Sequence, residues 1–380
     1  MANSIEQTRK RLRAAMPITH NWAYFDHAAV APLSQPAVDA LSKWLTQAAA
    51  EGDTVWLEWA AQLTRCRKLA ASLIGAGEAH IALVPNTTAG INFVAEGMDW
   101  RPGDNVVTLA DEFPANLYPW MNLAHRGVET RLVPTDDGRV TPEQIAAHCD
   151  DHTRVVSVSW VGYANGCRRP LKPIADVAHN CGALFLVDAI QGLGVFPVDV
   201  NVEEIDVLSA DGHKWLLGPE GAGIAYIHPE WLDRLRPIGV GWNSVVNAGH
   251  FDQIELRLKP TAARYEGGTY NMAGFIGLAA SLELLISLEA ANLSAAIIEY
   301  TDTVVAALGE VGAVVYSPRD GTERSGIVSF SIPGQDPQEL RKQCLAQGVA
   351  LNCRAGRLRL SAHAYNNADD LDRLLKSLHA

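Results

Sequence analysis

The run Ser209-Ala-Asp-Gly-His-Lys214-Trp-Leu-Leu-Gly-Pro-Glu-Gly221 decides how the rest of the chain is read. A hydrophobic stretch, Asp206-Val-Leu-Ser209, breaks off, a lysine follows a histidine, and a Gly/Pro-rich turn comes next. A lysine amine forms a Schiff base with an aldehyde when it is neutral and held in place. A short link after a buried strand, beside an aromatic residue and a tight turn, meets both needs. Alone, the same lysine reads more readily as a surface residue at a strand end, so its company decides. The glycines after it are no P-loop, because they lack a Lys-Ser/Thr ending and lead into a strand.

Upstream lies Ala183-Leu-Phe-Leu-Val-Asp188-Ala-Ile-Gln191. Its apolar run has the pattern of a strand buried on both faces. A carboxylate at the end of such a strand is costly without a cationic partner. A protonated pyridine nitrogen is one such partner, and Gln191 is placed to donate to a ring hydroxyl. Capping of a following helix would also account for Asp188. Further upstream, Pro85-Asn86-Thr87-Thr88 precedes Ile91, Val94 and Ala95 at helical spacing, with Gly97 as a stop. Two hydroxyls at a helix N-terminus suit a phosphate, and ordinary capping explains them as well. Downstream, Arg264-Tyr-Glu266-Gly-Gly-Thr269-Tyr-Asn271 is a glycine turn ahead of a long apolar helix. Arg357-Leu-Arg359-Leu is an alternating strand with both arginines on one face, which alone would also suit a solvated edge.

Strand-like runs at 105–109, 155–161, 183–187, 206–210 and 223–227 alternate with helical patterns such as 171–181, opened by Pro173. Alternation of this kind predicts βαβ units and a mostly parallel sheet, with ligands at the carboxyl ends of its strands. Long helices are expected over 271–290 and 292–311. The expected division is an N-terminal helical segment over 1–20, a large domain over 21–260 and a smaller C-terminal α+β domain over 261–380.

The chain has 380 residues, 48% hydrophobic and 19% charged, which are globular values. A net charge of −12 without a basic stripe argues against a nucleic-acid surface, and no apolar run suits a membrane helix. Six cysteines without CxxC pairs fit a reducing compartment, so a cytoplasmic location is expected. The arginines near the start read as a surface helix rather than a secretory signal. No GxGxxG or GxSxG motif supports a nicotinamide enzyme or an esterase. His148 and His152 are read as a solvated helix end, and no metal site is expected.

Taken together, Tyr24-Phe-Asp26-His-Ala-Ala29, Asn86-Thr-Thr-Ala-Gly-Ile-Asn92, Asp111-Glu-Phe113-Pro-Ala-Asn116, Leu186-Val-Asp188-Ala-Ile-Gln191, Gly212-His213-Lys214, Glu266-Gly-Gly-Thr269 and Arg359-Leu-Ser361 resemble one family. It is the class V branch of the aspartate-aminotransferase-like, fold type I pyridoxal phosphate enzymes. That branch includes cysteine desulfurases and selenocysteine lyases, with isopenicillin N epimerases and kynureninases more distant. The resemblance implies an α/β fold, with a large domain whose sheet is sandwiched by helices. It implies pyridoxal 5′-phosphate held by Lys214 through a Schiff base, with Lys214 later moving the substrate's α-proton. Asp188 would meet the ring nitrogen and Gln191 the ring hydroxyl, while Thr87, Thr88 and His213 would hold the phosphate. Thr269 would reach the partner's phosphate in a homodimer with shared sites, and Arg359 would bind the α-carboxylate of an amino-acid substrate.

Departures from the family matter as much as the matches. Phe113 stands where desulfurases carry a histidine, and its ring is placed to stack on the pyridine. Cys353 runs almost directly into Arg359, which leaves little room for a loop bearing a reactive thiol. Asp211 replaces a serine and is expected to point away from the phosphate, and Tyr163 replaces an asparagine. These changes put transamination or a lyase reaction first. Cysteine desulfurase or selenocysteine lyase-type C–S cleavage is the alternative, then racemisation or epimerisation. A non-catalytic protein that binds pyridoxal phosphate is the reading from a different class.

Overall fold

The computed structural model describes residues 2–379. Strand β1 (Ala23–Tyr24) is followed by β2 (Ile81–Val84), β3 (Asn105–Leu109), β4 (Glu129–Val133), β5 (Thr153–Ser159), β6 (Leu184–Asp188), β7 (Val207–Asp211) and β8 (Gly223–Ile227). The last seven form one sheet in the order β2-β8-β7-β6-β5-β3-β4. From β4 to β7 each pair is parallel, and β8 runs antiparallel to both β7 and β2.

Side-chain alternation puts this sheet between two apolar layers. Leu83, Val107, Val156, Phe185, Val187, Leu208 and Ala210 pack into one core, together with Phe275 and Leu278 of the helix Met272–Ile286. Val84, Val106, Val155, Leu184, Leu186 and Val207 pack into the other, together with Ile91 and Val94 of the helix Thr87–Ala95. The alternation continues to the strand ends. Asp188 shares the face of Leu184 and Leu186, and Asp211 shares that of Val207. Both carboxylates therefore arrive on the side of the helix Thr87–Ala95, at the carboxyl edge of the sheet.

Five strands follow: β9 (Val314–Val315), β10 (Ile327–Ser331), β11 (Val349–Ala350), β12 (Asn352–Arg354) and β13 (Arg357–Ser361). An antiparallel sheet runs β12-β13-β10-β9, and β11 pairs with β1. Its core unites Phe25 with Tyr300, Val304, Phe330, Leu358, Leu360 and Leu374. The helix Met272–Ile286 lies instead against the helices Gln35–Ala50 and Trp56–Leu73. Packing thus moves the change of core to the helix Ala290–Glu310, later than the break expected at 261. The N-terminal helix Ala2–Ala14 joins this later part: Arg9 pairs with Glu299 (3.2 Å) and Arg13 with Asp370 (2.8 Å).

Two strands of the seven-stranded sheet escape the apolar-run criterion. Ile81–Val84 is too short to register, and Glu129–Val133 is an edge strand with exposed polar positions. Among the described residues no single helix is long and apolar enough to cross a membrane.

Candidate active site

One cavity of about 320 Å³ gathers most of the residues singled out above. Thr87, Thr88, Phe113, Asp188, Gln191, His213, Lys214 and Arg359 all line it. Thr269 does not; it is exposed on its loop. A separate groove walled by Trp242, Phe251, Ile254 and Leu256 is mainly apolar and shares no lining residue with the cavity.

Lys214 sits in the connection between β7 and β8, a turn tied by Gly218 N–H to Gly212 O and Gly212 N–H to Ala222 O, both 2.9 Å. Leu217 adopts φ +56° to close that turn, a left-handed conformation uncommon outside glycine. Enclosure by the cavity walls lowers the Lys214 pKa, against the pull of Asp188, so the neutral nucleophilic amine is accessible. Burial raises Asp188, and nearby Glu112 adds to the rise. Asp188 Oδ1 accepts from Ile190 N–H (3.0 Å), which leaves Oδ2 for a ligand's N–H.

Gln191 is more committed than its sequence position suggests. Its Oε1 accepts from Trp215 Nε1 (2.8 Å), and Nε2 donates to Ala28 O (3.0 Å). One amide hydrogen remains for a ligand. Thr87 Oγ1 accepts from Asp211 N–H (3.0 Å), and Asn86 caps the helix through Ala89 N–H (2.9 Å). Phe113 is 43% exposed and is not core packing. Its ring meets Tyr163 edge-on at 5.2 Å, and Lys214 Nζ lies 5.6 Å from its centroid.

The expectation for Asp211 is overturned. Strand β7 extends one residue beyond the apolar run, and alternation then turns Asp211 to the face of Ser209. Ser209 Oγ donates to Thr87 O (2.9 Å), and Asp211 lines the cavity beside Thr87 and His213. Its Oδ2 is 2.9 Å from His213 Nδ1, off the line of a hydrogen bond.

The solvated-edge reading of Arg357-Leu-Arg359 is overturned as well. Strand β13 lies between β12 and β10, and Arg359 is 1% exposed. Its Nη1 donates to Tyr163 O (2.8 Å) and its Nη2 to Asp26 (3.4 Å), while Nε has no protein partner. Burial draws the guanidinium down to about 10, so it stays cationic near neutrality. Cys353 lies within β12 and outside the cavity. Its thiol donates to Pro337 O (3.1 Å), and burial raises its pKa.

Residues without a role in the sequence reading complete the surroundings. Arg354 lines the cavity beside Arg359. Glu112 is enclosed behind Asp188, accepting from Ser159 N–H (2.7 Å) with Arg169 3.7 Å away. His27, Trp215, His363 and Tyr365 form a sealed cluster next to Lys214. Tyr365 hydroxyl lies 2.9 Å from His27 Nε2, and Ala364 N–H donates to His363 Nδ1 (2.9 Å). The other ring nitrogens lie 2.9 Å from Ser361 O and 3.1 Å from Trp215 O. Each ring faces one carbonyl and one donor, as a neutral imidazole requires. Burial accordingly pushes His363 down to about 4.

The cavity therefore offers an aldehyde-reactive amine, a carboxylate for a ring nitrogen, a helix N-terminus with hydroxyls, and a buried arginine. The partnerless buried atoms Asp211 Oδ1, His213 Nδ1 and Arg359 Nε belong to residues lining it, which fits a polar guest. This fold and donor set define a fold type I pyridoxal phosphate enzyme. The class V aminotransferase model matches residues 23–374, and the chain belongs to that family. A probable cysteine desulfurase of Methanothermobacter thermautotrophicus is 31% identical, over 97% of this chain and 96% of that protein. A cysteine desulfurase of Escherichia coli is 29% identical, over 94% and 92%. The apo structure of a cysteine desulfurase from Thermococcus onnurineus superposes with a TM-score of 0.89 at 25% identity, covering 97% of each chain.

Proposed function

We propose that this enzyme cleaves the carbon–sulfur bond of cysteine or a cysteine derivative, releasing the sulfur as a small thiol or sulfide. The observation carrying this reading is that no cysteine is among the lining residues, while relatives over nearly the whole chain are named cysteine desulfurases. The most plausible acceptor by sequence, Cys353, is turned to Pro337 O in the core of the C-terminal antiparallel sheet.

Bound in the cavity, pyridoxal phosphate supplies an electron sink for charge developing at a substrate's α-carbon. In this reading Lys214 would hold the cofactor at its aldehyde carbon and would serve as the base for a substrate's α-proton. Its depressed pKa suits both tasks. Asp188 keeps the ring nitrogen protonated, Gln191 offers its free amide hydrogen to the ring hydroxyl, and Phe113 supplies an aromatic wall. Thr87, Thr88 and His213 take the phosphate. Arg359 receives the α-carboxylate on its partnerless Nε. As the α-proton leaves, the Cβ–S bond breaks and its electron pair departs with the sulfur. Thr269, exposed and absent from its own cavity, supports a homodimer in which it completes the partner's phosphate site.

The test is product analysis with L-cysteine and L-cystine. Elimination predicts pyruvate, ammonia and released sulfur in equal amounts, and Cys353→Ala should retain turnover within about twofold. Alanine as product, with activity lost in Cys353→Ala, would overturn the reading. Keto-acid formation with the cofactor left aminated would restore transamination, and loss of optical activity alone would point to racemisation.

A further inference from the structure

Four of the six cysteines, Cys66, Cys167, Cys344 and Cys353, are buried. Cys149 and Cys181 are only half-buried, and the sheet topology brings them together. Cys149 lies in the turn between the helix Pro142–Ala146 and β5, and Cys181 caps the helix Leu171–Asn180 just before β6. Because β5 and β6 are parallel neighbours, the segments entering them meet at the amino edge of the sheet. Cys149 Sγ donates to Ile145 O (3.4 Å) and Cys181 Sγ to Ala178 O (3.1 Å), while the two helices they follow pack against each other and both side chains rest on the same apolar core. Neither residue lines the cavity at the carboxyl edge.

We propose that Cys149 and Cys181 form a thiol–disulfide exchange site whose reactants are low-molecular-weight disulfides. The Cys181 thiolate attacks one sulfur of the reagent. A protein–reagent S–S bond forms as the reagent's own bond breaks, and the first small thiolate leaves and takes up the proton Cys181 gave to solvent. Cys149, deprotonated in turn, attacks the Cys181 sulfur, forming the Cys149–Cys181 bond and expelling the second small thiol. The protein loses two hydrogens and the reagent gains them. The order of attack follows from the surroundings. The neighbouring Cys149 thiol, aided by the Ala183 amide, lowers Cys181, whereas the Cys181 thiol and burial raise Cys149. Arg131 favours the thiolate at Cys149 only weakly, and Asp150 opposes it at both sulfurs.

The holoenzyme incubated with oxidised glutathione should lose about two daltons in intact mass, as two thiols become one disulfide. Peptide mapping should show Cys149 joined to Cys181. In Cys149→Ser a glutathione adduct should accumulate on Cys181, and in Cys181→Ser no stable adduct should form at either position. Wild-type protein that does not react, that stalls as a mixed disulfide, or that links other cysteines would overturn the proposal. So would an adduct in Cys149→Ser found anywhere but on Cys181.

Discussion

The two edges of the central sheet both carry ionisable side chains and treat them in opposite ways. At the amino edge the carboxylates of Asp150 and Asp206 are matched by named partners. Asp150 accepts from Arg131 (2.7 Å), Asn105 (2.9 Å) and His152 N–H (2.9 Å), and these partners hold its pKa below the usual range. Asp206 meets His179 at 2.9 Å and accepts from Phe185 N–H at 2.8 Å. At the carboxyl edge the same residue types are enclosed, and several of their polar atoms lack a partner. Burial there raises Asp188 and lowers Lys214. A buried unpaired group costs about 1–3 kcal/mol. Folding accepts that cost at one edge and avoids it at the other, which marks the carboxyl edge as the place where a ligand completes the structure.

Lys214→Ala should erode this contrast most. Turnover should fall about 10⁴-fold or more. After borohydride reduction the wild type should carry the cofactor's mass on the peptide containing Lys214, and the variant should not. Retention of covalent cofactor by the variant would remove Lys214 from its role. Arg359→Ala should lower kcat/KM for amino acids about 10³-fold, the scale of removing one partner of a buried charged contact. Reaction with amines lacking a carboxylate should change little, and equal losses on both substrates would break the assignment.

The histidines differ in the same way. His179 at the amino edge is partly exposed and paired, whereas His363 beside Trp215 is buried and neutral. Its pKa drops from the ordinary 6.5 to about 4 on folding. Between those values the unfolded chain binds more protons than the folded one. Stability from this residue is therefore complete above pH 6.5 and lost as pH falls towards 4, by about 3 kcal/mol. Denaturation midpoints measured across that range should fall less steeply in His363→Gln than in the wild type. Parallel slopes would assign the acid loss elsewhere.

Much of the carboxyl edge was legible in the sequence because it is built by period-two strands ending in polar residues. Asp188 and Lys214 stand where buried runs stop, and that alone puts them at one edge. The motif order then carried the family. Charge repulsion alone turns Asp211 away from a phosphate, but strand alternation decides where a strand residue faces. Arg359 was compatible with a solvated edge until β12 and β10 flanked its strand, a pairing between segments that no local pattern reveals. The roles of Glu112, Arg354 and the His27–His363 cluster were invisible for the same reason, since each depends on contacts across long stretches of chain. The core change at the helix Ala290–Glu310 is not legible locally, because the apolar helix before it gives no sign of which layer it joins.

Arg359 is held between the main-chain oxygen of Tyr163 and the carboxylate of Asp26, with little freedom left in its rotamers. An exposed arginine would surrender that freedom each time a substrate arrived. Here the loss is incurred once, when the polypeptide folds, so an α-carboxylate bound by Arg359 as proposed would meet a group that is already immobile. Discrimination by this enzyme should accordingly appear as a fixed geometric filter at the α-carbon, insensitive to how fast the surrounding loops move.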